Sequence, residues 1–101
     1  MIKVLIKSEE NKFKSLEVKG HANAGPYGED LVCAAVSAIL TGGFNNISDI
    51  NSFDVKLDEG HAYLEAKEPI SSHDEIVIEA ILSGLKTIEE SNPKNIKIQN
   101  L

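Results

Sequence analysis

The chain lacks several residue types that mark common functions. Its 101 residues include no tryptophan and only 5% aromatic residues, which argues against a stacking surface for single-stranded nucleic acid. A single cysteine excludes an internal disulfide, so we expect a reducing, cytoplasmic location. The longest apolar run, residues 31–40, is about half of the roughly 20 residues that span a bilayer. The first residues lack the length and cleavage site of a signal peptide, so we expect no membrane contact.

Positive charge is also scarce. The 10 basic and 16 acidic residues give a formal net charge of -6 at pH 7. Such a chain repels phosphate backbones and attracts basic partners, so we expect no direct contact with nucleic acid. No Lys or Arg stands between His21 and Lys56, which disfavours a phosphate-ester or acyl-phosphate hydrolase.

Hydrophobic periodicity predicts one domain over residues 1–101. Period-two alternation predicts β-strands, and longer apolar patterns with capping residues predict α-helices. The predicted elements are hairpins over 2–19 and 53–66, helices over 30–47 and 72–91, and a strand over 96–99. The order is ββαββαβ. This order favours an α+β fold, in which a mostly antiparallel sheet is covered by two helices on one face.

Polar residues and glycines mark the ends of the predicted helices. Asp30 or Glu29 is placed to cap the first helix, and an S-x-x-E capping box begins at Ser72. Gly42-Gly43 either ends the first helix or lets another backbone come close. The first helix is apolar around nearly its whole circumference. It therefore needs a cover on two sides, which predicts a homodimer.

The only cysteine stands at the start of the first helix. If Asp30 is the N-cap, Cys33 is the third helical residue, where the helix dipole and unpaired amides favour a thiolate. The same amides are placed to hydrogen-bond the oxyanion that forms when the sulfur attacks a carbonyl. His21 closes the second strand and is the candidate base. Strict alternation puts His21 on the sheet face opposite to the apolar residues Leu16 and Val18, away from the helix. For His21 to reach Cys33, Gly20 must break the strand phase or the site must lie at the sheet edge.

The loop between the two residues is suited to cover a substrate. The residues that make it irregular or bulky are Gly25, Pro26, Tyr27 and Gly28. Such a loop, from Ala22 to Glu29, can act as a lid over the reaction.

Two further side chains each have two possible roles, and a metal site is the remaining alternative. Asp30 either caps the helix or orients His21. Ser37, one turn below Cys33, hydrogen-bonds within the site or back to the Cys33 carbonyl. A metal site built from His21, Asp30 and Cys33 would have only three irregularly spaced ligands, so we expect no metal and no cofactor.

The loop and its flanks contain two runs, Gly20-His21-Ala22 and Gly28-Glu29-Asp30-Leu31-Val32-Cys33-Ala34-Ala35-Val36-Ser37. Together they resemble the signature of the ribosomal-processing cysteine proteases, the Prp family. The resemblance implies a cysteine endopeptidase with Cys33 as nucleophile and His21 as base. It also implies that Gly20, Asp30 and Ser37 support the site.

The resemblance implies a substrate and an assembly as well. Proteins of this family remove a short N-terminal extension from large-subunit ribosomal protein twenty-seven, cutting after a pair of aromatic residues. A homodimer and a mobile loop over the site are implied too. The alternative is a non-catalytic ribosome-associated module that binds a basic ribosomal protein through the same loop. That module would show ordinary thiol reactivity at Cys33 and binding without turnover.

Overall fold

Five strands and two helices form the fold, in a computed structural model that describes residues 1–21, 25 and 30–101. The elements are β1 Ile2–Glu9, β2 Lys12–Lys19, α1 Leu31–Asn45, a 3₁₀ turn Ile50–Ser52, β3 Phe53–Asp58, β4 His61–Ala66, α2 Ser72–Ser91 and β5 Ile96–Asn100. This confirms the predicted ββαββαβ order. Neither helix within the described residues is long and apolar enough to cross a membrane.

The strands form one sheet in the order β3-β4-β2-β1-β5. Three of the neighbouring pairs are antiparallel, and only β1 and β5 run parallel, with Ile2 opposite Ile96. The parallel pair is possible because α2 forms the crossover that returns the chain to the far edge. The prediction of a mostly antiparallel sheet is confirmed.

Two tight turns close the hairpins. Glu10 and Asn11 both have positive φ, 53° and 64°, the backbone twist that two-residue hairpin turns need. The turn between β3 and β4 has Gly60 at φ +75°, as the Glu59-Gly60 pair predicts. The second turn matters most for the site, because it lies near the end of β2.

The core lies between one face of the sheet and the two helices. Its strand residues are Ile2, Val4, Leu16, Val18, Phe53, Ala62, Leu64, Ala66 and Ile96, and its helical residues are Val32, Val36, Leu40, Phe44, Ile78, Ile81, Leu85 and Ile88. Charged side chains such as Lys3, Glu17 and Lys97 alternate with these core residues along the strands. The helices therefore cover a single face, as predicted.

Close contact between α1 and α2 depends on glycine. A Cβ added at Gly43 would overlap Ile81, and one added at Gly84 would come within 2.9 Å of Ile39 Cδ1. The helix continues through Gly42 and Gly43 to Asn45. Helix termination at this pair is therefore wrong, and close approach is correct at Gly43 but not at Gly42, where an added Cβ has nothing within 4 Å.

The N-cap of the second helix lies one residue before the predicted cap. Ser71, rather than Ser72, is the N-cap, and its Oγ accepts a hydrogen bond from the Asp74 amide at 3.2 Å. The Asp74 side chain is fully buried and accepts hydrogen bonds from Ser48 N, Ser48 Oγ and Asp49 N. Burial acts to raise the pKa of this carboxyl, but the hydrogen bonds outweigh it and the net pKa is lowered. Asp74 thus fixes the segment after α1 to the start of α2.

Candidate active site

The end of β2 changes direction at a glycine. Gly20 has φ +99°, a conformation that L side chains rarely adopt, and an added Cβ would lie 2.5 Å from the Met1 carbonyl oxygen. Its amide donates to the Gly60 carbonyl at 3.0 Å. Gly20 therefore breaks the strand alternation, which is one of the two conditions that the sequence gave for placing His21 beside the helix start.

The imidazole of His21 lies against the β3–β4 turn. A Cβ built on Gly60 would be only 3.1 Å from His21 Nε2, so the absence of a side chain at Gly60 makes room for the ring. The Gly20–Gly60 hydrogen bond holds the two backbones together just before His21. The position of His21 thus depends on a hairpin about 40 residues away in the chain.

The thiol stands in the first turn of α1. Asp30 is the N-cap, and its Oδ1 accepts a hydrogen bond from the Cys33 amide at 3.0 Å. The Asp30 carbonyl also accepts from the Ala34 amide at 3.0 Å. The capping role of Asp30 is confirmed, and Cys33 is the third helical residue, with a half-buried side chain.

One detail of the expected anion site needs correction. The Cys33 amide is occupied by the Asp30 carboxylate, so it is not a donor for an oxyanion in this arrangement. The amides of Leu31 and Val32 have no acceptor within the helix, because the first residues of any helix lie outside its repeating bonds. Among the hydrogen bonds between described residues, the Asp30 carboxylate accepts from the Cys33 amide and from neither of these two.

A cleft of about 940 Å³ brings the predicted residues together. Cys33 and His21 both line it, and so do the other predicted positions that the structure describes, Gly20, Gly25, Asp30 and Ser37. Ser37 is exposed one turn after Cys33, on the flank of α1 that faces the cleft. The remaining predicted loop residues, Pro26, Tyr27 and Gly28, lie outside the described residues.

The β3–β4 hairpin supplies a wall of the cleft that sequence reasoning missed. Its lining residues are Leu57, Asp58, Glu59, Gly60, His61 and Ala62. No local pattern marks them, because only the order of the strands brings this turn beside β2 and α1. Across the described lining residues there are three acidic side chains, Asp30, Asp58 and Glu59, and neither Lys nor Arg.

The other two histidines each contact an oxygen atom elsewhere in the fold. His61 is half-buried, and its Nε2 lies 2.7 Å from Glu17 Oε2. His73 is exposed, with Nε2 2.9 Å from the Asn46 carbonyl oxygen. Within residues 1–21, 25 and 30–101, no three His, Cys, Asp or Glu side chains are grouped to hold a metal ion.

A thiol at a helix start and an imidazole lining the same cleft are the groups of a cysteine hydrolase. Comparison with known proteins supports this class. The family described as Cysteine protease Prp matches residues 1–97, so the chain belongs to that family of cysteine proteases. Family membership favours an enzyme over the non-catalytic alternative.

Relatives of the chain are similar in sequence and in structure. Ribosomal processing cysteine protease Prp of Staphylococcus aureus is 33% identical over 95 residues, covering 90% of each chain. The Bacillus subtilis protein of the same name is 32% identical, covering 97% of this chain and 96% of its own. The S. aureus protease in complex with a covalently linked product peptide superposes with a TM-score of 0.89 at 33% identity, covering 100% of both chains. Its complex with a substrate peptide gives a TM-score of 0.78 at 29% identity, again covering 100% of both chains.

Proposed function

We propose that this protein is an endopeptidase that removes the N-terminal extension of large-subunit ribosomal protein twenty-seven, using a Cys33/His21 dyad. The observation that carries the proposal is that both side chains line one open cleft. Its volume of about 940 Å³ is at the upper end of the usual range for ligand sites, roughly 300–1,000 Å³. A short extended stretch of peptide therefore fits beside the thiol.

The reaction proceeds in two halves. His21 takes the thiol proton, and Cys33 Sγ attacks the carbonyl carbon of the scissile peptide bond. The resulting tetrahedral intermediate collapses as the protonated imidazole gives its proton to the leaving amine, which departs and leaves a thioester on Cys33. Water, deprotonated by His21, then hydrolyses the thioester and restores the thiol.

The start of α1 stabilises charge in both halves. Asp30 holds the Cys33 amide and so fixes the backbone that presents the sulfur. The amides of Leu31 and Val32 point toward the N-terminal end of the helix, where the macrodipole favours negative charge. We assign these two amides as donors to the oxyanion, in place of the Cys33 amide.

The choice of substrate rests on the relatives and on charge. Curated relatives are named ribosomal processing proteases, and one relative has been solved with a substrate peptide. The acidic cleft and the net charge of -6 would attract a basic ribosomal protein precursor.

A peptide cleavage assay with matched variants tests the proposal. A synthetic peptide spanning the extension and the first residues of the mature protein is incubated with wild type, Cys33→Ala and His21→Ala. Wild type should cut at one bond, and each variant should lose cleavage while keeping its circular dichroism spectrum. His73→Ala is the matched control, since this histidine is exposed and does not line the cleft. Undiminished cutting by Cys33→Ala, or an intact peptide after incubation with wild type, contradicts the proposal.

We also propose that the protein forms a homodimer. Leu31, a large apolar residue in the first turn of α1, is 81% exposed in the single chain. Burial of such a side chain against a second copy would remove the largest exposed apolar group on α1 from water. Sedimentation should show a dimer at micromolar concentration that Leu31→Glu dissociates. A wild-type protein that sediments only as monomer contradicts this proposal.

A further inference from the structure

A side-chain pair joins β2 to β4 on the sheet face opposite the helices. His61 Nε2 lies 2.7 Å from Glu17 Oε2, and the two side chains are 34% and 30% exposed. An ionised carboxylate can only accept a hydrogen bond, so the imidazole donates from Nε2. In the strand register His61 stands opposite Lys19, so its bond to Glu17 runs diagonally across the ladder. The Lys19 ammonium is farther from the same carboxylate, at 4.0 Å.

The pair lies where the bonding between the two strands ends. The last ladder position has Lys19 opposite His61, and the Gly20–Gly60 hydrogen bond follows it. On its other side β4 has only the edge strand β3, so within the sheet β2 alone holds the β3–β4 turn in place. The ends of strands open more readily than their centres. A side-chain bond at this position therefore limits the movement of the turn.

Movement of the turn would reach the candidate base directly. His61 follows Gly60 in the chain, and the His21 ring packs against Gly60. Glu17 belongs to β2, the strand that leads to His21. His61 itself is not placed as a second base, because its Nε2 is bonded to Glu17 on the face opposite the core, whereas Cys33 lies on the helix side.

We propose that Glu17 and His61 are positioning residues for the cleavage reaction, because their bond holds the β3–β4 turn where Gly60 seats the His21 imidazole. The inference rests on the proposed protease function and adds two residues that act through Gly60. A catalytic group displaced by 1 Å costs about 100-fold in rate. Without the bond the turn would move for only part of the time, so we expect a smaller loss, about tenfold in kcat, with KM changed less than about twofold.

Substitutions of the pair test this role kinetically. Glu17→Ala and His61→Ala should each lower kcat about tenfold, and the double variant should lose no more than either single variant. Glu17→Gln keeps an oxygen that accepts from the imidazole and should retain most of the rate. Glu9→Ala is the matched control, since it removes a carboxylate that lies 3.8 Å from Lys7 at the other end of the β1–β2 hairpin, and it should leave kcat unchanged. Additive losses in the double variant, or an equal loss in Glu9→Ala, would overturn the inference.

Nuclear magnetic resonance measures the position of His21 without any turnover. The chain has only three histidines, so isotopically labelled histidine gives three imidazole signals, which His61→Gln and His73→Gln assign. Wild type should show a nuclear Overhauser effect between the His21 ring and the Gly60 methylene, because a Cβ added at Gly60 would lie 3.1 Å from His21 Nε2. Glu17→Ala should lose most of this effect, and Glu17→Gln should keep it.

This measurement distinguishes failure of the positioning role from failure of the protease function. Loss of the effect in Glu17→Ala supports the positioning role even if wild type cuts no peptide. An effect as strong in Glu17→Ala as in wild type, or one that wild type lacks, overturns the role even if wild type cuts the peptide. If circular dichroism shows that Glu17→Ala is unfolded, Glu17→Thr takes its place, because it also removes the carboxylate and threonine favours a strand.

Discussion

Replacing Gly20 by Ala should damage stability and activity together. At φ +99° a side chain strains the backbone, and the new methyl group would stand 2.5 Å from the Met1 carbonyl oxygen. Backbone strain and overpacking each cost about 1–3 kcal/mol, so we expect the free energy of unfolding to fall by about 2–6 kcal/mol. For a domain of this size that lowers the melting temperature by roughly 10–30 °C. Relief of the overlap would move His21 away from the cleft.

Urea unfolding and peptide cleavage together measure this effect. Cleavage is assayed well below the melting temperature of both proteins, where a displacement of His21 near 1 Å would lower kcat/KM about 100-fold. Gly42→Ala is the matched control, because its added Cβ has nothing within 4 Å and lies in a helix interior. In this control the free energy of unfolding should rise by about 0.5–1 kcal/mol, and activity should be unchanged. A Gly20→Ala variant as stable and as active as wild type would contradict this role of Gly20 at the end of β2.

Two further substitutions test the helix contacts. Asp74→Asn should lower the free energy of unfolding at pH 7 by about 1–3 kcal/mol, because the carboxylate accepts bonds from Ser48 and Asp49. Since the folded-state pKa of Asp74 is lowered, its contribution is complete above the unfolded-state value of about 4 and is lost as pH falls below it through the lower folded-state pKa. The free energies of unfolding of wild type and Asp74→Asn, measured by urea titration, should therefore converge as the pH is lowered. A difference that stays constant with pH would contradict this. Gly43→Ala should cost about 1–3 kcal/mol through overlap with Ile81, and adding Ile81→Ala should give a non-additive double variant.

Local patterns in the sequence predicted most of the fold. The β3–β4 hairpin followed from strict alternation around Glu59-Gly60, and α1 followed from its apolar run after Asp30. The errors lie at boundaries. The cap of α2 is Ser71 rather than Ser72, and α1 ends at Asn45 rather than at residue 47. In both cases the boundary depends on contacts that only the packed helix determines.

The site was only half predictable. The residues near Cys33 in sequence could be assigned, because a helix start defines its own geometry through Asp30. The location of His21 depends on a hydrogen bond between Gly20 and Gly60, and the cleft wall that includes Leu57 depends on the order of the strands. Such contacts join segments about 40 residues apart, and the local hydrophobic periodicity of the sequence does not predict them.

In the proposed reaction the sulfur of Cys33 becomes covalently bonded to the substrate while His21 moves the proton. Acid quenching of the reaction with the extension peptide, followed by mass spectrometry of the intact protein, detects this bond. We expect wild type to gain the mass of the N-terminal product less one water, on the only cysteine of the chain. Cys33→Ala should gain no mass, and His21→Ala should gain little. Cleavage without any adduct under rapid quenching, or an adduct mapped to another residue, would contradict it.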